Sequence, residues 1–325
     1  MNTYGIFPFV LAGVVASSDV LSQDKPVFQV TTLADNIYEL STDGGGYTVK
    51  VIASVGDDGI LLVDTGQKET STDLLATLQK LGSGHPRIII NTHSHIEHTG
   101  GNISIGKGPV VIGHKNLRAR LRSGSFLFDE FPDESIPHVT FTDSLTLHFN
   151  GEDIKLIAFL GAHDNSDIIA WLTKSKVVCV GALSNGLHFP SVDRETGNVL
   201  KYADTVQRVI DILPEDVKIV PGHGEDCAMA DYRMFHAMLA ETADIVRTEL
   251  AKGKDLATLQ SEDVLRDWTS SECSYVDKNR WIKYLADGFQ REGSTSQVKQ
   301  PIYEPIYYAM KHGGPDAAAR LAEFS

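Results

Sequence analysis

The stretch Ile90–Asn102 reads INTHSHIEHTGGN and places three histidines and one carboxylate within six residues. Just before it, RIII is a short β-branched run that predicts a buried strand over Arg87–Asn91. Imidazoles crowded at a strand exit are poorly suited to core packing. Loops past strand ends are where layered α/β folds collect their active residues. Neutral imidazole is a good zinc ligand, and three of them leave one position open for water. Such water loses its proton near neutral pH and becomes a nucleophile. His93 and His95 can converge on one ion, whereas His98, three residues further on, points elsewhere and suits a second. The Glu97 carboxylate can ligate that second ion, orient the attacking water, or both.

Two more histidines share this setting: His163 follows IAFLGA, and His223 follows KIVPG. The other seven (His85, His114, His138, His148, His188, His236 and His312) have no comparable setting and read as surface or satisfied, partly buried groups.

Around these loops the chain is strand-rich from Val27. VFQVTTL, IYELST, YTVKVIASV and GILLVDTG read as strands, with a hairpin turn at Gly56-Asp57-Asp58-Gly59. STDLLATLQKL, Ser71–Leu81, has the leucine spacing of a helix. Strand PVVIGH, a helix over Lys115–Leu121 and a Phe-rich acidic loop over Ser123–Pro137 come next. That loop either covers the site or packs on the surface. LTLHF, IKLIAFL, IIAWL and VVCVG predict strands, Lys201–Leu213 a helix, and VKIV a last strand. From Asp231 the pattern is helical, broken near Gly253, Ser270 and Gly293. Two strand-then-helix halves, each ending in a histidine-bearing loop, predict a layered α/β domain over 24–250 and a C-terminal helical extension over 251–325.

The motifs together resemble the metallo-β-lactamase superfamily. THSHIEH is similar to its HxHxDH signature with Glu97 in the aspartate position, and LLVDTG resembles its first strand motif, ending in Asp64. LGAHDNSD supplies His163 and VPGHG supplies His223, in the family's order; HTGGN, VVIGHKNLRARL and NGLHFPSVD resemble one branch of exported bacterial hydrolases. The resemblance covers about Val27 to Leu250. It implies an αββα sandwich with a zinc site between the sheets. His93, His95 and His163 would hold the first metal, and Glu97, His98 and His223 the second. A further family ligand, an aspartate in a Gly-Asp pair, is here replaced in Gly181-Ala182. The third subclass of true metallo-β-lactamases also lacks a ligand there and uses Asp, His and His for its second metal.

The implied activity is that of a zinc-dependent hydrolase, with metal-bound hydroxide attacking the carbonyl of a lactam, lactone or ester and Glu97 taking part. The departures at Glu97 and Ala182 leave a second reading open: a diverged relative that binds a ligand without efficient turnover. Asp164 replaces a threonine common in the branch; it either orients an imidazole or is a solvated loop residue. Asp64 reads as structural, bonding loop backbone near the histidine motif. Ser184 and Asn185 could donate to a substrate oxyanion, although turn formation also explains Asn185-Gly186.

Composition narrows the partners. Of 325 residues, 42% are hydrophobic and 22% charged, enough to bury a sizeable core. The net charge of -14 argues against nucleic acid as the main partner, since no basic excess exists to release counterions, and a small-molecule substrate is expected. Cys179, Cys227 and Cys273 fit neither a zinc knuckle nor a CxxC pair. Cys179 reads as a small buried hydrophobe, while Cys227 and Cys273 could pair in an oxidising compartment. IFPFVLAGVVA, residues 6–16, is too short to span a bilayer and is followed by small residues and the polar SQDKP. It predicts an export signal over 1–23 and a secreted or periplasmic protein without lasting membrane association. No Lys or Arg precedes the run and Pro8 lies within it, so a frayed tail or first strand is the alternative.

Overall fold

The computed structural model describes residues 27–82, 84–125 and 128–293. The expected export signal over 1–23, His312 and the chain after 293 lie outside the described residues. Two sheets stack face to face. The first runs in the order β1 (Gln29–Ala34), β2 (Ile37–Asp43), β3 (Thr48–Gly56), β4 (Gly59–Val63), β5 (Pro86–Ile90), β6 (Val110–His114) and β7 (Val139–Phe141). The second comprises β8 (Ser144–Phe149), β9 (Glu152–Ala158), β10 (Ile168–Leu172), β11 (Val177–Gly181), β12 (Lys218–Pro221) and β13 (Cys227–Ala228), in the spatial order β13-β12-β11-β10-β9-β8.

Period-two alternation divides the central strands between two cores. On β4, Ile60 and Leu62 face outward to Leu74 and Leu78 of α1 (Ser71–Leu81), while Leu61 and Val63 face the second sheet. On β11, Val177 and Cys179 face the first sheet, and Val178 and Val180 face the helices beyond. Those helices are α5 (Tyr202–Ile212), α6 (Met229–Ala251), α7 (Leu256–Ser261) and α8 (Lys278–Gly293). Helix, sheet, sheet, helix is the four-layer αββα sandwich expected from the motifs. The C-terminal helices share its core: Trp281, Ile282 and Leu285 are buried with Phe189, Tyr202 and Phe235.

Strand β7 and the two-residue β13 lack a sequence signal because neither carries a run of alternation. Three short helices complete the chain order: α2 (Ile96–Thr99), α3 (Asn102–Ile105) and α4 (Lys115–Ser123). The Phe-rich loop after α4 is packed, since Phe128, Phe131 and Ile136 cluster with Leu117 and Leu121 against Ile96 and Ile103. It therefore braces the histidine loop from behind. The three cysteines are free thiols, so the possible Cys227–Cys273 pairing is not formed; Cys227 sits on β13 and Cys273 against Asn185.

Candidate metal centre

Every expected ligand arrives on a strand exit. β5 ends at Ile90 and the chain turns through Thr92–His95 into α2, which carries Glu97 and His98. His163 lies between β9 and β10, and His223 follows β12 directly. Close approach demands glycine at two points. A Cβ at Gly222 would lie 2.8 Å from the His98 ring, and Gly181, at φ +53, would place one 2.7 Å from Thr92 Oγ1.

The structure brings the residues of both expected sets together. One nitrogen each from His93, His95 and His163 lies within 4.8 Å of the others, and the same holds for one donor atom each from Glu97, His98 and His223. The Nε2 atoms of His93, His95 and His163 are buried without a hydrogen-bond partner. Buried polar atoms are normally satisfied, so three clustered imidazole nitrogens without hydrogen bonds fit a metal ion once His95 has lost its proton. The opposite ring nitrogens are held. Thr92 Oγ1 lies 2.9 Å from His93 Nδ1, Asp167 Oδ1 3.1 Å from His163 Nδ1, and Asp64 Oδ2 3.0 Å from His98 Nδ1. His223 Nδ1 donates to the Thr48 carbonyl at 2.7 Å. Partners of this kind fix the tautomer and aim the free nitrogen inward.

Glu97 reaches its place despite the extra methylene. Its Oε1 lies 3.4 Å from His95 Nδ1 and 3.6 Å from His223 Nε2, between the two sets. Burial acts to raise its pKa, but His95, His223 and His98 outweigh it and hold the carboxyl well below the usual range. Burial, followed by the neighbouring imidazoles, pushes His93 well below the ordinary histidine value. Burial and then His95 lower His163 to about 3, and burial lowers His223. These three are neutral and ready to ligate. For His95 burial is overcome by Glu97 and Asp193, which raise it to about 10; that proton must leave before its Nε2 can ligate.

Asp64 bonds loop backbone as expected, accepting from Thr92 N at 2.8 Å, and also from Thr92 Oγ1 at 2.7 Å. It does so at φ +63, a left-handed conformation that aspartate tolerates better than most residues. Asp164 is not a solvated loop residue. It is fully buried and accepts from Ser94 N and Oγ and from Ser166 N and Oγ, so it pins the histidine loop through Ser94. Asn185 is not free to meet an oxyanion: its Nδ2 donates to Phe189 O at 3.0 Å and its Oδ1 accepts from Tyr275 at 2.6 Å. Ser184 Oγ points to Gly186 O at 3.3 Å. Ala182 puts a methyl group where the family has its acid; its carbonyl accepts from the Tyr202 hydroxyl.

Several neighbours had little or no signal in the sequence. Asp193, buried after an unpatterned loop, accepts from Arg120 Nη2 at 2.8 Å and lies 3.6 Å from His95 Nε2. Asp167 carried a weak signal, an acid four residues behind a strand-exit histidine; burial and then Asp164 push its pKa well up. Tyr47 and Tyr275 close the second set on one side, with ring centroids 5.1 and 6.1 Å from that of His223.

The family model of the metallo-beta-lactamase superfamily matches residues 43–223. Among solved structures, a metallo-beta-lactamase from Pontibacter korlensis superposes with a TM-score of 0.55 at 19% identity, over 66% of this chain and 99% of that one. The DIM-1 metallo-beta-lactamase exposed to ceftazidime does so with a TM-score of 0.55 at 19% identity, over 67% of this chain and 98% of its own. At that identity the likeness establishes the fold. No curated protein matches the sequence. The matched residues span more than half of the chain and include Asp64, the histidine loop, His163 and His223, so the chain belongs to the metallo-beta-lactamase superfamily.

Proposed function

We propose that the protein is an exported zinc-dependent hydrolase of small molecules that carry a lactam, lactone or ester carbonyl. The observation that carries this is the cluster of three buried Nε2 atoms of His93, His95 and His163, none of which has a hydrogen-bond partner. His93, His95 and His163 would hold one ion, and Glu97, His98 and His223 would hold a second. Zinc bound there supplies Lewis acidity toward a carbonyl oxygen and toward water. The chain does the rest. Asp64, Thr92, Asp167 and the Thr48 carbonyl keep the His98, His93, His163 and His223 rings aimed, and Glu97 Oε1, beside His95 and His223, stands where it can take the proton of an attacking water. Tyr47 and Tyr275 present aromatic edges beside His223, a wall suited to an apolar acyl group. Export is supported by the apolar run at residues 6–16 and its small-residue flank.

The test is elemental analysis of the purified protein with a hydrolysis screen over lactams, lactones and aryl esters. We expect one to two equivalents of zinc, turnover of at least one class, and loss of turnover in His163→Ala. Less than about one tenth of an equivalent after zinc soaking would sink the proposal. The reading as a binding protein rests on Ala182, and it would be favoured by full zinc loading with no hydrolysis across the screen.

A further inference from the structure

Strand β3 is longer than its neighbour on one side. Its pairing with β4 begins at Ile52↔Val63, while its pairing with β2 runs on to Thr48↔Asp43. Residues 48–51 therefore overrun β4, and the edge they leave carries backbone groups that need partners. The loop after β12 supplies them. Lys50 N donates to Gly222 O at 3.2 Å, and Thr48 O accepts from His223 Nδ1 at 2.7 Å. A loop of the second sheet is thus bound edge-on to a strand of the first, at the residue expected to ligate metal.

The Lys50 side chain adds a third tie. Strand alternation puts Lys50 on the same face as Ile52, toward the second sheet, where it is 6% exposed. Its Nζ donates to Asp226 Oδ1 at 2.6 Å and lies 3.2 Å from Glu39 Oε2. Asp226 belongs to the same loop, three residues after His223. A buried ammonium is expensive unless paired, so Lys50 holds its partners firmly. The loop is fixed before His223 at Gly222, at His223 itself, and after it at Asp226.

We propose that Lys50 is a positioning residue for the second metal half-site: with Asp226 it locks the Gly222–Asp226 loop onto β3, which fixes the His223 proton on Nδ1 and leaves Nε2 free to ligate. It touches no reacting atom and acts through His223. The inference rests on reading His223 as a ligand, and the experiment separates the two. The first set should not depend on Lys50, since its three histidines come from the β5 exit and the β9–β10 loop.

Metal-stripped full-length protein, labelled with 15N-histidine, reports the His223 tautomer by long-range proton–nitrogen spectra, assigned with His223→Gln. The wild type should show the Nδ1-protonated form. Lys50→Met and Asp226→Ala should each give a mixture of both tautomers, and Asp226→Glu should restore the single form. Lys50→Met leaves the buried Glu39 and the partly buried Asp226 without their cation and could fail to fold; Asp226→Ala keeps Lys50 beside Glu39 and carries the test alone in that event. Zinc titration of the same proteins should show the second equivalent weakened about tenfold or more, with the first within about twofold of wild type. An unchanged His223 signature in the variants overturns the proposal, as does an equal loss at both equivalents or an unchanged second equivalent. A wild type that binds no zinc overturns the metal reading instead.

Discussion

Replacing Asp64 by Asn tests the claim that carboxylates bonded to the outer ring nitrogens aim the histidines. One oxygen, Oδ1, accepts from Thr92 N at 2.8 Å and survives as the amide oxygen. The other, Oδ2, accepts from Thr92 Oγ1 at 2.7 Å and from His98 Nδ1 at 3.0 Å, and becomes an NH2 group. Two donors then face a donor. The Thr92 hydroxyl can rotate away, but His98 can relieve the conflict only by moving its proton to Nε2. That nitrogen lies 3.2 Å from His223 Nε2, in the second ligand set. The proton blocks the lone pair on which the set depends.

Two magnitudes follow. In the metal-free protein, one lost charge-assisted bond at a buried site costs about 1.5–3 kcal/mol of stability. At the metal, losing an orienting partner weakens affinity by about 10–100-fold, and the loss should fall on the second equivalent. The assay is urea unfolding in chelator, paired with zinc competition against a chromophoric chelator. If the first equivalent weakened as much as the second, or if stability fell while both affinities held, the link from Asp64 through His98 to the second set would be wrong.

Glu97→Asp should weaken the second equivalent by about tenfold, because removing one methylene withdraws the carboxylate by about 1.5 Å from a place between the two sets. The double change Glu97→Asp, Ala182→Asp should recover it; zinc competition reads both. Burial pushes Glu39 up to about 7, with Lys50 opposing and Asp226 adding to the rise. A carboxyl raised on folding keeps its proton in the native state, so stability is full below about pH 4.5 and is lost as pH climbs through about 7. Glu39→Gln should escape that loss and exceed wild type by about 1–3 kcal/mol at pH 8, with no gain at pH 4, by urea unfolding. Trp281→Ala removes a fully buried ring that stacks on Phe189 at 5.4 Å and donates to Thr242 Oγ1 at 2.9 Å. It should cost about 3–5 kcal/mol, visible as a large fall in Tm.

The layers and the clustering of the histidines were legible in the sequence for a shared reason. Strand alternation and strand-exit histidines are local patterns, and each half of the site is carried by short runs such as HSHIEH and VPGHG. What escaped depends on contacts between distant segments. Asp193 meets His95 only because the loop after β11 folds back onto α4, where Arg120 holds it. Asn185 looked available because nothing nearby uses its amide, yet Tyr275, ninety residues away, takes its oxygen. Lys50 did leave a trace, a lone charge at an inward position of an apolar strand, but its partner Asp226 lies 176 residues on.

The two departures from the family pattern gain a common physical setting from the geometry. In the family an acid at the position of Ala182 supplies a second carboxylate to the site; here a methyl group stands there and the Glu97 carboxylate is the one within reach of both His95 and His223. A single carboxylate that must serve two histidine sets needs length more than it needs the usual short, stiff chain. The extra methylene sets that one carboxylate between both histidine sets, whereas the third subclass, which also lacks the acid, keeps the shorter aspartate. On that logic the single change Glu97→Asp, which moves the residue toward the family pattern, is the harmful one, and Ala182→Asp is what makes the shorter chain tolerable.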